Sequence, residues 1–361
     1  MSLINQPLDL PFELCEFIFD YLQTRDLLAC CLVSKSWLDF FNNSICHHKI
    51  LLSIDETAAM CDLFNCTRKF VRIKLNKLKN ERFLDILSHF AACVEELEIE
   101  NCELKKECNM KFPSLKCLSI SSTPAEIIHK IFNNPCNNLK CLVLYRLNGP
   151  TIKVVSNFLK TNDSLEEINF YLDEKNNIFN RDISNEVTFK LKSLFISYKS
   201  DYDLPTKTLT NIEKFLKSQG DTLETISLIN SANLRLLFRT WNDLKAVNRL
   251  YFFSSDPVLD FCPLNVTELN KNSKITELEL HALGPLSLNL THFIPFLNAA
   301  IALKSLGVWC LKKDLIEYVA KNFDNLRFIS CASMDSDCLT FYNDLKSKIG
   351  INDKIQIHQY L

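Results

Sequence analysis

A chain of 361 residues that is 47% apolar and 23% charged, with a mean hydropathy near zero, can bury a full core and is no disordered tail. Its formal net charge of −2 gives no global field to draw it onto nucleic acid or an anionic membrane. The 5 glycines stand at least 23 residues apart, which leaves no phosphate-cradling loop or nucleophile elbow and excludes the common nucleotide enzymes and α/β-hydrolases.

The opening residues, MSLINQPLDLPFELCEF, are not a basic stretch followed by an apolar run, and no later stretch of about 18 apolar residues could span a bilayer. The chain therefore reads as intracellular, cytoplasmic or nuclear or both, without membrane attachment. Its 16 cysteines then read as small buried hydrophobes rather than disulfides.

From Leu10 the chain runs LPFELCEFIFDYLQTRDLLACCLVSKSWLDFF. Leu14, Phe17, Ile18, Tyr21 and Leu22 recur at steps of three and four and define one apolar stripe of a helix. Pro11 suits the first turn, and Glu13 complements the positive helix end. Thr24 is the expected N-cap of a second helix, with Asp26 in its first turn and Leu27, Leu28, Leu32 and Val33 on its apolar side. A short third helix would carry Trp37, Phe40 and Phe41. So small a unit has too much surface for its volume to bury all these side chains. The rest of the chain or a partner protein must cover the surplus, and its place at a terminus favours a partner.

These residues resemble the F-box, a three-helix motif of the form L-P-x-E-L-x-x-x-I-F-x-x-L, then D-L, then V-x-K-x-W. The sequence supplies Leu10, Pro11, Glu13, Leu14, Ile18, Phe19, Leu22, Asp26, Leu27, Val33, Lys35 and Trp37, and the resemblance covers residues 8–50. It implies binding to the Skp adaptor and, through it, to the cullin and RING subunits of an SCF-type ubiquitin ligase. The adaptor contact it implies consists of Leu10, Pro11, Leu14, Ile18, Phe19, Leu22, Leu27, Leu28, Val33 and Trp37. One stretch departs from the family, which usually ends on a Leu-Trp or similar aromatic pair where this chain has Ile45, Cys46, His47 and His48.

Beyond it, Cys46, His47, His48, Cys61 and Cys66 come nearest to a metal constellation, but no matched second ligand pair follows, so no metal is expected. Residues 68–83 are basic, with Arg68, Lys69, Arg72, Lys74, Lys77, Lys79 and Arg82. Phe70 and Phe83 read there as core residues rather than base-stacking platforms, so no nucleic-acid partner is expected.

From residue 70 the pattern L-x-x-L-x-L recurs, starting at Phe70, Val94, Leu115, Leu139, Leu165, Leu191, Leu223, Val247, Ile275, Leu303 and Leu326. The steps between starts run from 21 to 32 residues, centred within the leucine-rich-repeat range. In each unit the first, fourth and sixth residues point to the core and the third, fifth and seventh lie on an open face. Segments such as TIKVVSNFLKTND, TNIEKFLKSQGD and DLIEYVAKNFDN carry helical spacing between strands. The expected fold class is α/β: a three-helix F-box, then a leucine-rich-repeat solenoid over 51–361, a curved parallel sheet inside and helices outside. A helix near residues 336–348 and a strand around Ile355 and Ile357 would cap the last of about eleven units.

Arg72, Lys74 and Asn76 should face Glu96, Glu98 and Glu100 across neighbouring strands and neutralise them. Further along, Tyr145, Tyr171, Phe195, Tyr251, Phe253, Glu277, Glu279, His281 and Trp309 fall on the open face, where the core has no use for aromatics. They are the expected substrate-binding residues. No cofactor and no catalytic constellation can be written. The chain reads as a non-catalytic substrate receptor of a ubiquitin ligase with an unknown protein substrate. The alternative is a non-ligase scaffold whose degenerate F-box recruits no cullin.

Overall fold

Apolar side chains at every second position, punctuated by helical stretches, call for strands with one buried face alternating with helices, and the computed structural model has that arrangement. It describes residues 10–43, 49–57, 70–79, 81–104, 110–124, 126–131, 136–147, 152–173, 177–199, 205–229, 234–254, 269–282, 290–334, 337–338, 340–341, 343 and 355–359. The chain divides into two compact units, Met1–Ser164 and Leu165–Leu361.

The first unit opens with helices α1 (Phe12–Asp20), α2 (Thr24–Cys30) and α3 (Lys35–Asn43). Parallel strands β1 (Leu51–Ile54), β2 (Arg72–Asn76), β3 (Glu96–Glu100), β4 (Cys117–Ser121) and β5 (Cys141–Tyr145) follow in sequence order. Helices α4 (Glu81–Phe90), α5 (Glu126–Ile131) and α6 (Ile152–Thr161) accompany them. The second unit has parallel strands β6 (Glu167–Leu172), β7 (Ser193–Tyr198), β8 (Thr225–Ile229), β9 (Arg249–Ser254), β10 (Glu277–Ala282), β11 (Ser305–Leu311), β12 (Phe328–Met334) and β13 (Gln356–Gln359). Its helices are α7 (Thr206–Gln219), α8 (Leu234–Thr240), α9 (Leu290–Ala299) and α10 (Lys313–Asn322). Between β6 and β7 the described residues form a 3-10 turn, Ile178–Asn180, rather than an α-helix. Of the expected helix near 336–348, only five residues lie among those described.

The repeat pattern sets the register within each unit. Arg72 pairs with Glu96, Glu96 with Cys117 and Cys117 with Cys141, each the third residue of its repeat. The same holds from Glu167 through Ser193, Thr225, Arg249, Glu277 and Ser305 to Phe328. The first, fourth and sixth residues of every repeat, from Phe70, Ile73 and Leu75 to Leu326, Ile329 and Cys331, are buried. A fully buried Leu or Ile side chain contributes about 1.5–3 kcal/mol, so these positions dominate the stability of both units.

Lys77, Asn101, Ser122 and Arg146, the eighth residues of the first four repeats, all have positive φ, between 47° and 56°. This left-handed residue follows each of β2, β3, β4 and β5 and turns the ninth residue inward, so that Leu78, Cys102, Thr123 and Leu147 are buried. The Cys102 N–H donates to Thr123 Oγ1 at 3.3 Å, and that hydroxyl donates to the Ser121 carbonyl at 2.7 Å. Burial pushes the Cys102 thiol up to about 11. In the second unit β6, β7, β9 and β10 run on through the eighth residue, at Leu172, Tyr198, Ser254 and Ala282.

Candidate protein-interaction surfaces

Two surfaces carry the chemistry, and the first is built on α1. Pro11 stands at its N-cap rather than inside the first turn, and its carbonyl accepts from the N–H groups of Leu14 and Cys15 at 3.0 and 3.1 Å. Cys15 and Phe19 point inward. The Phe19 ring meets Trp37 at 5.3 Å, Phe40 at 5.4 Å and Phe41 at 5.0 Å between centroids, and Phe12 meets Phe40 at 5.1 Å. This aromatic cluster, with Leu27, is the core of the three helices. Lys49 pairs with Asp20 at the end of α1.

The opposite face of α1 stays uncovered among the described residues. Leu14, Phe17, Ile18 and Tyr21 are exposed, Tyr21 to 75%, and the Phe17 and Tyr21 rings meet edge-on at 5.2 Å. Leu32 and Val33, expected on α2, lie beyond its last residue in the following turn, where Leu32 is 84% exposed. Leu10, Leu22, Leu28 and Trp37 are half-buried, and Pro11 is exposed. Two of the expected contact residues are corrected: Phe19 and Leu27 are 2% and 0% exposed, because the module spends them on holding its own helices together. In the other direction, Phe17, Tyr21 and Leu32 are exposed but were not among the expected contacts. Phe17 and Tyr21 were already visible on the helical stripe. Ile45, Cys46, His47 and His48 lie outside the described residues.

The second surface is the open face of the strands. In the first unit it is a charge ladder: Arg72 Nε donates to Glu96 at 2.6 Å, and Lys74 Nζ lies 3.6 Å from Glu98 and 2.7 Å from Glu100. The Glu100 carboxylate holds the Lys74 ammonium above its ordinary range. The Arg146 guanidinium lies over the Tyr145 ring, 4.8 Å from its centroid.

In the second unit the open face is aromatic and acidic, and its members form separate groups. The Tyr171 and Phe195 rings meet at 4.9 Å. Beyond β8, the Tyr251 hydroxyl donates to Glu277 at 3.1 Å, and Arg249 Nε lies 3.3 Å from the same carboxylate. Burial, then the Glu277 charge, push the Tyr251 phenol up to about 12. His281 Nε2 lies 3.2 Å from Glu279, and the Phe253 ring lies 6.3 Å from His281 and 6.5 Å from Trp309. Tyr145, Tyr171, Phe195, Tyr251, Phe253, Glu277, Glu279 and His281 are half-buried, and Trp309 is exposed. The open-face aromatics thus lie where the repeat pattern puts them, and they pack on one another and on neighbouring charges.

Several polar residues that tie repeats together were not expected from the sequence. Asn162 Oδ1 accepts from the Cys136 N–H at 2.8 Å, and Gln219 Oε1 accepts from the Leu191 N–H at 3.0 Å, both inside the protein. Each satisfies a backbone donor 26 or 28 residues earlier in the chain.

Among the described residues, no three His, Cys, Asp or Glu side chains are placed to hold a metal. Cys46, His47, His48, Cys61 and Cys66 lie outside those residues, as do Arg68 and Lys69 of the basic stretch. No described helix is long and apolar enough to cross a membrane. A family model described as F-box-like matches residues 7–53 of the chain. No curated protein gives a significant match.

Proposed function

We propose that the chain is a substrate receptor of an SCF-type ubiquitin ligase. Its F-box-like segment, residues 7–53, would dock on a Skp adaptor, and leucine-rich repeats over residues 51–361 would hold a protein substrate. One observation carries the reading: inside the segment that matches the F-box-like model, Leu14, Phe17, Ile18, Tyr21, Leu32 and Val33 present an apolar surface to solvent. An apolar patch of this size on a small helical module calls for a partner. The adaptor contact would consist of these six residues with Leu10, Pro11, Leu22, Leu28 and Trp37 at its edges.

The repeat assignment rests on the buried first, fourth and sixth residues and on the third-to-third register within each unit. The chain then does no chemistry of its own. The adaptor links it to a cullin and a RING subunit, and a bound substrate lysine gains effective concentration beside the charged conjugating enzyme.

Co-expression with a Skp adaptor tests the first half of this reading. A complex that survives high-salt size exclusion is the expected result, since an apolar contact is not screened. Reconstitution with cullin and RING subunits tests the second half through ubiquitin transfer to proteins captured on the repeats. A folded chain that captures no adaptor would overturn the receptor role.

A further inference from the structure

In β11 a glycine occupies an open-face position. Gly307 pairs with Glu279 on β10 and with Ser330 on β12. A Cβ at Gly307 would stand 2.5 Å from Glu279 Cγ and 3.0 Å from its Cδ. The Glu279 side chain therefore lies across β11 in the space the glycine leaves. Glycine in a strand interior weakens the strand relative to alanine, so this space is kept at a cost in stability.

Ser305 and Ser330 extend Gly307 into a floor of small residues, with Phe328 paired to Ser305 at one end and Trp309 two residues past Gly307 at the other. Trp309 is 38% exposed and Phe328 44%, although the core positions of these strands, Leu306, Val308, Ile329 and Cys331, are filled and buried. The two rings flank this floor, Phe328 also lying 6.2 Å from the His358 ring and Trp309 6.5 Å from Phe253, and the Glu279 carboxyl group stands beside it.

Charge selects the occupant. The open-face strand positions of the second unit carry Glu167, Glu277 and Glu279 against one arginine, Arg249, no lysine, and the histidines His281 and His358. Arg249 is engaged with Glu277, whereas Glu279 pairs, among the described residues, with His281 and with no lysine or arginine. A carboxylate next to exposed aromatic faces favours a cation: the carboxylate accepts a charge-assisted hydrogen bond, and the rings offer their negative faces.

We propose that this part of the open face binds a basic side chain, arginine or lysine, of the protein substrate, with Glu279 as its anion and Trp309 and Phe328 as the rings beside it. The inference deepens the receptor reading and rests on it. It makes Gly307 a specificity-determining position, since any larger residue would displace the Glu279 side chain that lies over it.

The test labels the full chain with fluorotryptophan, whose three fluorine signals report Trp37, Trp241 and Trp309, the last assigned with Trp309→Phe. The probes are acetyl-Gly-Ser-X-Ser-Gly-amide peptides with X as arginine, lysine, citrulline or norleucine. Titration with the arginine and lysine peptides should move the Trp309 signal and leave Trp37 and Trp241 in place. The citrulline and norleucine peptides should move none. Glu279→Gln should weaken the arginine peptide about tenfold, the loss of one charge-assisted contact, and Gly307→Val should abolish its effect. Unmoved Trp37 and Trp241 signals in both variants report an intact fold. A norleucine peptide as effective as arginine, an unchanged response in Glu279→Gln, or no response to either basic peptide would overturn the proposal. Adaptor capture, measured on the same preparation, separates the outcomes: a chain that captures the adaptor but ignores the peptides keeps its receptor role and loses this site.

Discussion

The three N-terminal helices and the repeat strands use the same kinds of apolar residue and treat them in opposite ways. In the strands, each repeat finds a neighbour in register, and every first, fourth and sixth side chain is buried by the chain itself. In the helices, Phe19, Phe40, Phe41, Cys15 and Leu27 fill a small core, and Leu14, Phe17, Ile18, Tyr21, Leu32 and Val33 are left outside it. A short helix closes its core with one face and has no second layer for the other. Apolar residues in the repeats are thus answered within the protein, and those exposed on the helical module are left, on the proposed reading, for a partner.

The sharpest contrast comes from removing a large ring on each side of that division. Phe252→Ala in the core of β9 should destabilise the protein by about 3–5 kcal/mol, and Phe19→Ala should cost the three-helix module a similar amount, both read from urea midpoints. Phe17→Ala, two residues from Phe19 on the exposed face, should change stability by no more than about 0.5 kcal/mol while weakening adaptor binding by more than about 1 kcal/mol. Equal stability losses at Phe17 and Phe19 would dissolve the distinction between the faces.

Close packing of the repeat backbones gives a smaller effect. At Gly220, just past α7, a Cβ would stand 2.1 Å from the Asp243 carbonyl oxygen, a backbone atom that cannot swing aside. Gly220→Ala should therefore cost about 1–3 kcal/mol in the same assay, with adaptor binding intact.

The smallest effect is a pH dependence on the open face. Tyr251 ionises at about 12 in the folded protein, above the ordinary phenol value of 10.0, because burial and Glu277 disfavour the phenolate. A raised value means that its contribution is complete below pH 10.0 and is lost as pH rises toward 12. Tyr251→Phe should remove a component rising toward pH 12 from a tyrosinate absorbance titration and flatten the alkaline loss of stability over that window.

Much of this was legible in the sequence because strand periodicity is a local signal. The starts from Phe70 to Leu326 located the buried residues and the register together, and the pairing of Arg72 and Lys74 with Glu96, Glu98 and Glu100 followed from that register. In the helices, the motif named Ile18 and Phe19 alike, although one faces solvent and the other the core. Adjacent positions on a helix differ by about 100°, and which of two neighbours turns inward depends on where α3 packs. The end of α2 at Cys30 had no glycine or proline to mark it. The left-handed residues at the eighth repeat position are Lys, Asn, Ser and Arg, so the usual glycine signal for that conformation is missing. Asn162 and Gln219 are ordinary surface types in composition, and only three-dimensional packing turns them inward to meet backbone donors.

The most direct test of the division between self-covered and partner-covered apolar surface is one pair of measurements on the double variant Leu14→Asp with Ile18→Asp. Its urea midpoint and its affinity for the Skp adaptor are measured on the same preparation. An unchanged midpoint and a lost complex are expected, because both side chains already face water in the free chain. A midpoint that falls together with binding would place these residues in the protein's own core. A complex that persists would place the adaptor elsewhere, and either result would contradict the account.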